Sequence, residues 1–142
     1  MKNKKGILFW IASLTWGLPM TLLGMIVALA LMYTLHKPQR FGHLIYFEVG
    51  ENWGGLELGA FFLVNKGADL HVKQHEAGHG IQNIIFGFLM PFVVCIPSAI
   101  RYWYRKYKKK KGLAETLPPY DSIWFERQAT SFGKKYFNDI RG

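Results

Sequence analysis

Five residues in the middle of the chain, His75-Glu76-Ala77-Gly78-His79, have the types and spacing that metal-dependent hydrolysis requires. On an α-helix His75 and His79 lie one turn apart on the same face, so two imidazoles can converge on one ion. Glu76 stands beside the first histidine and can reach a metal-activated water without being a ligand. Zinc lowers the pKa of such a water towards neutrality; Glu76 then takes its proton during attack on a peptide carbonyl and passes it to the leaving amine. His71 continues the four-residue spacing. At a helical rise of ~1.5 Å per residue it stands about 12 Å from His79, too far to share one ion through bonds of ~2 Å. Only the later pair encloses a glutamate, and His71 is read as a helix-start residue near the mouth of the pocket. Coincidence, or a purely structural use of the histidines, is the rival reading of the motif.

Zinc held in this way needs a third protein ligand and keeps a fourth position for water. Cys95 is the single cysteine, sits in an apolar stretch and is most simply a core residue, so a metal site must be built from histidine and carboxylate. The acidic candidates downstream are Glu115, Asp121, Glu126 and Asp139, of which Glu126 is the best. Its helical face also carries Ala129, Thr130 and Gly133, whose small side chains let this helix approach the His helix closely. Thr130 can add a hydrogen bond that orients a ligand imidazole. The alternative for Glu126 is a surface position on an amphipathic helix.

The elements that must hold these residues follow from the rest of the chain. Half of the 142 residues are hydrophobic, yet the mean hydropathy is only +0.05 because Lys and Arg are gathered into a few runs. Such segregation points to a membrane protein. After Lys2, Lys4 and Lys5, residues 6–35 carry no charge, a run longer than the ~20 residues that cross a bilayer as a helix. Residues 1–36 are therefore read as a membrane anchor, a transmembrane helix tilted or broken near Gly17 and Pro19, or a hairpin within the membrane. A cleaved signal peptide is the competing reading, since Ala28-Leu29-Ala30 has small residues in the right places, but the apolar part exceeds the usual ~7–15 residues. Residues 37–142 form a minimal metallopeptidase-like domain.

Within that domain, residues 44–49 and 56–64 predict two short strands around the turn Asn52-Trp53-Gly54-Gly55. Asp69 is a cap for a helix running from about Leu70 through the His-Glu motif until Pro91 ends or kinks it. A second apolar piece, residues 92–103, carries Pro97 and leads into a basic run. Residues 108–119 read as a solvated connection, and the last helix starts near Asp121 or Ser122 and continues to about Phe137. The fold class is thus an α+β membrane protein. It has an N-terminal transmembrane helix or hairpin, a short β-hairpin or edge strand, the His-Glu helix, an apolar helical hairpin over 81–104, and a C-terminal helix carrying the third ligand.

Topology constrains this arrangement. If residues 6–35 and 81–103 each crossed the membrane once, His79 and Glu126 would lie on opposite faces. Residues 81–104 must therefore dip into the membrane and return. Of 18 basic residues, 7 lie between Arg101 and Lys111. Beside an apolar segment that run is a contact for anionic lipid and a positive-inside signal, placing the site on the cytosolic face of a bacterial inner membrane. No base-reading motif accompanies the charge, so nucleic acid is not an expected partner.

A strand, then His-Glu-x-x-His on a helix, then Glu126-x-x-Ala129 on a later helix resembles the gluzincin class of metallopeptidases. More closely, residues 55–59 with the following strand, His75-Glu76-Ala77-Gly78-His79-Gly80-Ile81-Gln82, Ile96-Pro97-Ser98-Ala99 and Glu126-x-x-Ala129-x-x-x-Gly133 are similar to small bacterial membrane proteins with a His-Glu-Tyr-Gly-His-type motif. The likeness covers most of the chain after about Trp16. Those relatives often carry Asp where this chain has Thr130. More distant likenesses are to AAA-linked membrane proteases, whose phosphate-binding loop is missing here, and to site-2 proteases, whose Leu-Asp-Gly is missing. The gluzincin resemblance implies that residues 58–64, with Leu58, Ala60 and Phe62, form the edge on which an extended peptide lies. The expected function is a membrane-embedded zinc-dependent endopeptidase acting on peptide or protein segments near the membrane, with His75, His79 and Glu126 as ligands and Glu76 as general base. A metal-stabilised membrane scaffold or interaction protein is the main alternative, and a lipid-binding protein without metal is a third.

Overall fold

The uncharged run 6–35 forms two helices, α1 (Lys2–Leu14) and α2 (Leu18–Tyr33), in a computed structural model that describes residues 2–51, 53–119 and 122–137. The two are bent by 97° at the short break between them. The break falls where Gly17 and Pro19 suggest it, with Pro19 in the first turn of α2, where its missing N–H costs nothing. Two hydrogen bonds hold the corner: Asn83 Nδ2 donates to Gly17 O at 3.2 Å and Trp16 Nε1 to Ile85 O at 3.1 Å. Among the described residues no single helix is long and apolar enough to cross a membrane.

Four strands follow: β1 (Gln39–Phe41), β2 (Leu44–Glu48), β3 (Gly55–Leu58) and β4 (Phe61–Val64). They form one sheet in the order β1-β2-β4-β3, antiparallel at both flanks and parallel between β2 and β4. The expected single strand over 56–64 is folded back on itself, because Gly59 adopts φ +71°, which favours glycine, and turns the chain with Ala60. This corrects the expected peptide-binding edge. Leu58 ends β3, Ala60 is a buried turn residue, and Phe62 lies in β4, which is paired on both sides. The open edge on this side of the sheet is β3.

One face of the sheet carries Tyr46 and Phe62, stacked at 5.0 Å, with Phe41 edge-on to Phe62 at 6.1 Å. On the other face Trp10 of α1 meets Phe61 at 5.6 Å, and Trp10 Nε1 donates to His43 O at 2.8 Å. The first two helices are therefore one layer of the same core. Each fully buried Phe or Leu here stabilises the fold by about 1.5–3 kcal/mol.

Helix α3 (Leu70–Phe86) begins at Asp69, whose side chain accepts from the Val72 N–H at 3.0 Å, the expected cap. It ends before Pro91 because Gly87, at φ +57°, lies against the Trp16 indole and breaks the helix first. After short turns the chain enters α4 (Ile96–Lys110), and the segment from Pro91 is bent by 115° from the one ending at Leu89. The chain thus turns back after His79. Lys108, Lys109 and Lys110, expected in a loop, form the last turn of α4, where positive charge suits the helix dipole. Helix α5 (Trp124–Phe137) follows; the expected cap Asp121 and turn residue Asn52 lie outside the described residues.

Helices α3 and α5 cross with their backbones in contact. A Cβ on Gly78 would occupy the position of the Ala129 carbonyl, and one on Gly133 that of the Gln74 carbonyl. Neither backbone can give way cheaply, since each is hydrogen-bonded within its own helix. Gly133→Ala is therefore expected to destabilise the protein by about 1–3 kcal/mol or more, despite alanine's better helix propensity. Urea unfolding of Gly133→Ala beside Ser131→Ala, an exposed control on the same helix, measures it; equal midpoints would contradict the crossing.

Candidate active site

The His helix presents His75 and His79 towards α5, and the crossing delivers Glu126 between them. His75 Nε2 lies 2.8 Å from Glu126 Oε2 and His79 Nε2 lies 3.5 Å from the same oxygen. One ligand atom from each of the three residues falls within 4.8 Å of the other two, and all three side chains are buried. This group could hold a metal ion: two imidazole nitrogens and a carboxylate oxygen converge, and Nε2 is the nitrogen both rings turn inward. His71 is exposed and stays outside the cluster, beside the cleft mouth. Glu115 is exposed in a short turn, and Asp139 lies outside the described residues.

The outer nitrogens are tied down as well. His75 Nδ1 is 2.8 Å from Thr130 Oγ1, the contact expected for Thr130, and His79 Nδ1 is 2.7 Å from Gln82 Oε1. Since an amide oxygen only accepts, His79 carries a proton on Nδ1, and a metal would displace only the Nε2 proton that faces Glu126. Gln82 is itself fixed, donating from Nε2 to Phe125 O at 2.8 Å and to Gln128 Oε1 at 3.0 Å. Ser98 Oγ on α4 donates to Glu126 Oε1 at 2.7 Å, leaving Oε2 for the centre. Ligands held from behind in this way are oriented before any ion arrives. Gln82 and Ser98 stand in the segments that carry the family resemblance, but the sequence reading gives neither a role at the site. Gln82 had a usable signal, since it stands three residues after His79 on the same helix, whereas no helical spacing ties Ser98 to Glu126.

Burial would raise the Glu126 carboxyl, but hydrogen bonds from His75 and His79, the His79 charge and Ser98 hold it well below the ordinary carboxylate range. Burial would lower His79, and the Glu126 carboxylate, with Glu76 and Gln82, holds it above its usual value instead. Glu76 is raised, burial outweighing the two imidazoles beside it, with Glu126 adding to the rise. A carboxyl shifted upwards is a better proton acceptor and donor near neutrality than an ordinary one.

Glu76 also faces open space. Two cavities, of about 420 and 530 Å³, meet at Glu76, Gly55, Trp53 and Tyr102. Gly55 of β3 lies so close that a Cβ there would stand 2.7 Å from Glu76 Cγ. Asn65 N donates to Gly54 O at 3.1 Å, so Gly54 belongs to the hydrogen-bonded pairs of the β3–β4 ladder. By alternation the N–H and C=O of Gly55 and Glu57 point to the open edge, next to Glu76. Comparison of the chain with protein-family models, curated proteins and solved structures finds no match.

The charges predict a pH dependence with a definite sign. In metal-free protein the raised His79 contributes stability below its unfolded value of ~6.5 that is lost as pH rises through the folded value. The raised carboxyls of Glu57 and Glu76 act in the same direction above ~4.3, while the depressed Glu126 contributes stability that is lost as pH falls below ~4.3. The melting temperature in chelator is expected to fall between about pH 6 and 8. With zinc added it is expected to rise over that range, because ligands must shed protons to bind. Melting curves by circular dichroism across pH test both; parallel profiles with and without zinc would contradict the site.

Proposed function

We propose that the chain is a zinc-dependent hydrolase of peptide bonds that works at a membrane surface. The observation that carries this reading is the convergence of His75 Nε2, His79 Nε2 and Glu126 Oε2 beside a Glu76 carboxyl that opens onto a cleft. Two imidazoles and a carboxylate suit zinc. A zinc ion there supplies a Lewis acid and an acidified water. The protein's own part falls to named groups. Glu76 accepts the proton of the attacking water and returns it to the leaving amine. The outward main-chain groups of Gly55 and Glu57 pair with an extended peptide, as a further strand on β3. Thr130, Gln82 and Ser98 keep the ligands from turning away. The gluzincin likeness rests on this arrangement of strand, His helix and Glu helix.

The membrane part of the proposal is supported by apolar side chains left in the open. Leu8, Ile26 and Leu29 on α1 and α2, and Phe92, Ile96, Ile100 and Trp103 on one stripe into α4, are each half-exposed or more. The two bent helix pairs suit a broken or re-entrant insertion. Helix α4 continues from that stripe into its basic turn, the pattern of a helix lying at an anionic lipid surface. With basic charge beside the cleft, the cytosolic face of a bacterial inner membrane is the expected setting. Labelling of Lys110→Cys, in a Cys95→Ser background in intact cells, is expected to require permeabilisation; labelling from outside would overturn that orientation.

A scaffold reading draws on the Glu126 contacts to both histidines, which already join α3 to α5. Glu76→Gln separates the two. As a general base, Glu76 is expected to account for about 10²–10⁴-fold of peptide turnover, with stoichiometric zinc retained in the variant by elemental analysis. Unchanged processing of a cleaved peptide would leave only the scaffold.

A further inference from the structure

One polar group in the cleft is not used by the proposed chemistry. Glu57, on β3, is 6% exposed, and neither of its carboxylate oxygens has a hydrogen-bond partner among the described residues. Its side chain points to the face of the sheet that Gly55 presents to Glu76, and both carboxyls line the 420 Å³ cavity. An orphaned buried carboxyl costs free energy that an apolar residue in its place would not. The cost here is increased by a second acid nearby. Burial pushes the Glu57 carboxyl well above the ordinary range, and the charge of Glu76 pushes it further.

The two halves of the cleft differ in charge. The half beyond Gly55 is lined by Arg105, Lys106 and Lys109 from α4. Among the described residues the half holding Glu57 is lined by no lysine or arginine, and its one basic group, His79, is engaged by Glu126 and Gln82; its walls include Met20, Leu56, Met90, Val94 and Trp103. A buried carboxyl that no cation pairs among the described residues is complementary to a ligand that brings its own, on an apolar stem. The stem displaces water from the walls, and the cation supplies hydrogen-bond donors that Glu57 lacks.

We propose that this chamber is a specificity site for a primary ammonium group carried on an apolar stem, with Glu57 as its anchor. In a peptide that group is either a lysine side chain or the α-ammonium of an N-terminal residue with an apolar side chain. The assignment rests on Glu76 marking the substrate cleft, but its test reads binding and needs no turnover.

The probes are n-hexylamine and 1-hexanol, titrated by calorimetry into chelator-treated and zinc-loaded protein. Wild type is expected to bind the amine about tenfold or more tightly than the alcohol in both forms, the worth of a charge-assisted hydrogen bond. In Glu57→Gln, and in the volume-matched Glu57→Met, the preference should shrink below about twofold with alcohol binding kept. Preference confined to the zinc-loaded form would mean that the amine binds metal, and overturns the assignment. So does preference that survives either substitution, or none in wild type. The sources separate with amides: N-acetyl-lysine amide over N-acetyl-norleucine amide assigns the side chain, and leucine amide over N-acetyl-leucine amide assigns the α-ammonium. Failure to hydrolyse any peptide would sink the hydrolase and leave this result standing.

Discussion

Glu126 reaches two imidazoles because α5 crosses α3 with backbone against backbone, and that approach is the constraint on which the rest of the site depends. A helix separated by ordinary side chains runs about 8–10 Å away axis to axis, and a glutamate would then have to extend across a gap to the histidines. At this crossing Gly78 faces Ala129 and Gly133 faces Gln74, so the helices meet with nothing between them. The carboxylate becomes a fixed wall of the site. Its burial, which would be expensive for a lone charge, is offset by contacts from His75, His79 and Ser98.

The same crossing separates the roles of the acids. Glu126 is surrounded by donors and stays ionised, whereas Glu76 and Glu57 face a cavity with few partners and are shifted upwards by burial. Three carboxyls in one small volume thus differ in character through their surroundings alone. The sheet makes this possible: Gly55 and Glu57 alternate on one face of β3, and the absence of a side chain at Gly55 gives Glu76 its place.

Sequence spacing identified the parts of this arrangement that are local. The His pair follows from helical periodicity, Asp69 is a cap by residue type and place, and the small residues around Glu126 and Thr130 signal a close approach to the His helix. The parts that stayed hidden depend on distant contacts. Residues 56–64 look like one apolar strand, and only the left-handed turn at Gly59 makes them two and moves the open edge to β3. Helix α3 stops at Gly87 rather than Pro91 because an indole from the α1–α2 corner occupies the adjacent space. The role of Ser98 is hidden because its partner is 28 residues away, and Glu57 looks like an ordinary polar residue in an edge strand until its burial is seen.

His75 and the Glu126 oxygen beside it are separated by 51 residues of chain. During synthesis both histidines are in the chain before the glutamate is added, so a nascent chain carries two imidazoles but no complete ligand set. The centre comes into being only when α5 docks in the α3 groove that Gly78 leaves open. Completion of the candidate ligand set is thereby timed to the completion of the fold, and a chain interrupted before α5 lacks the carboxylate that joins the two imidazoles.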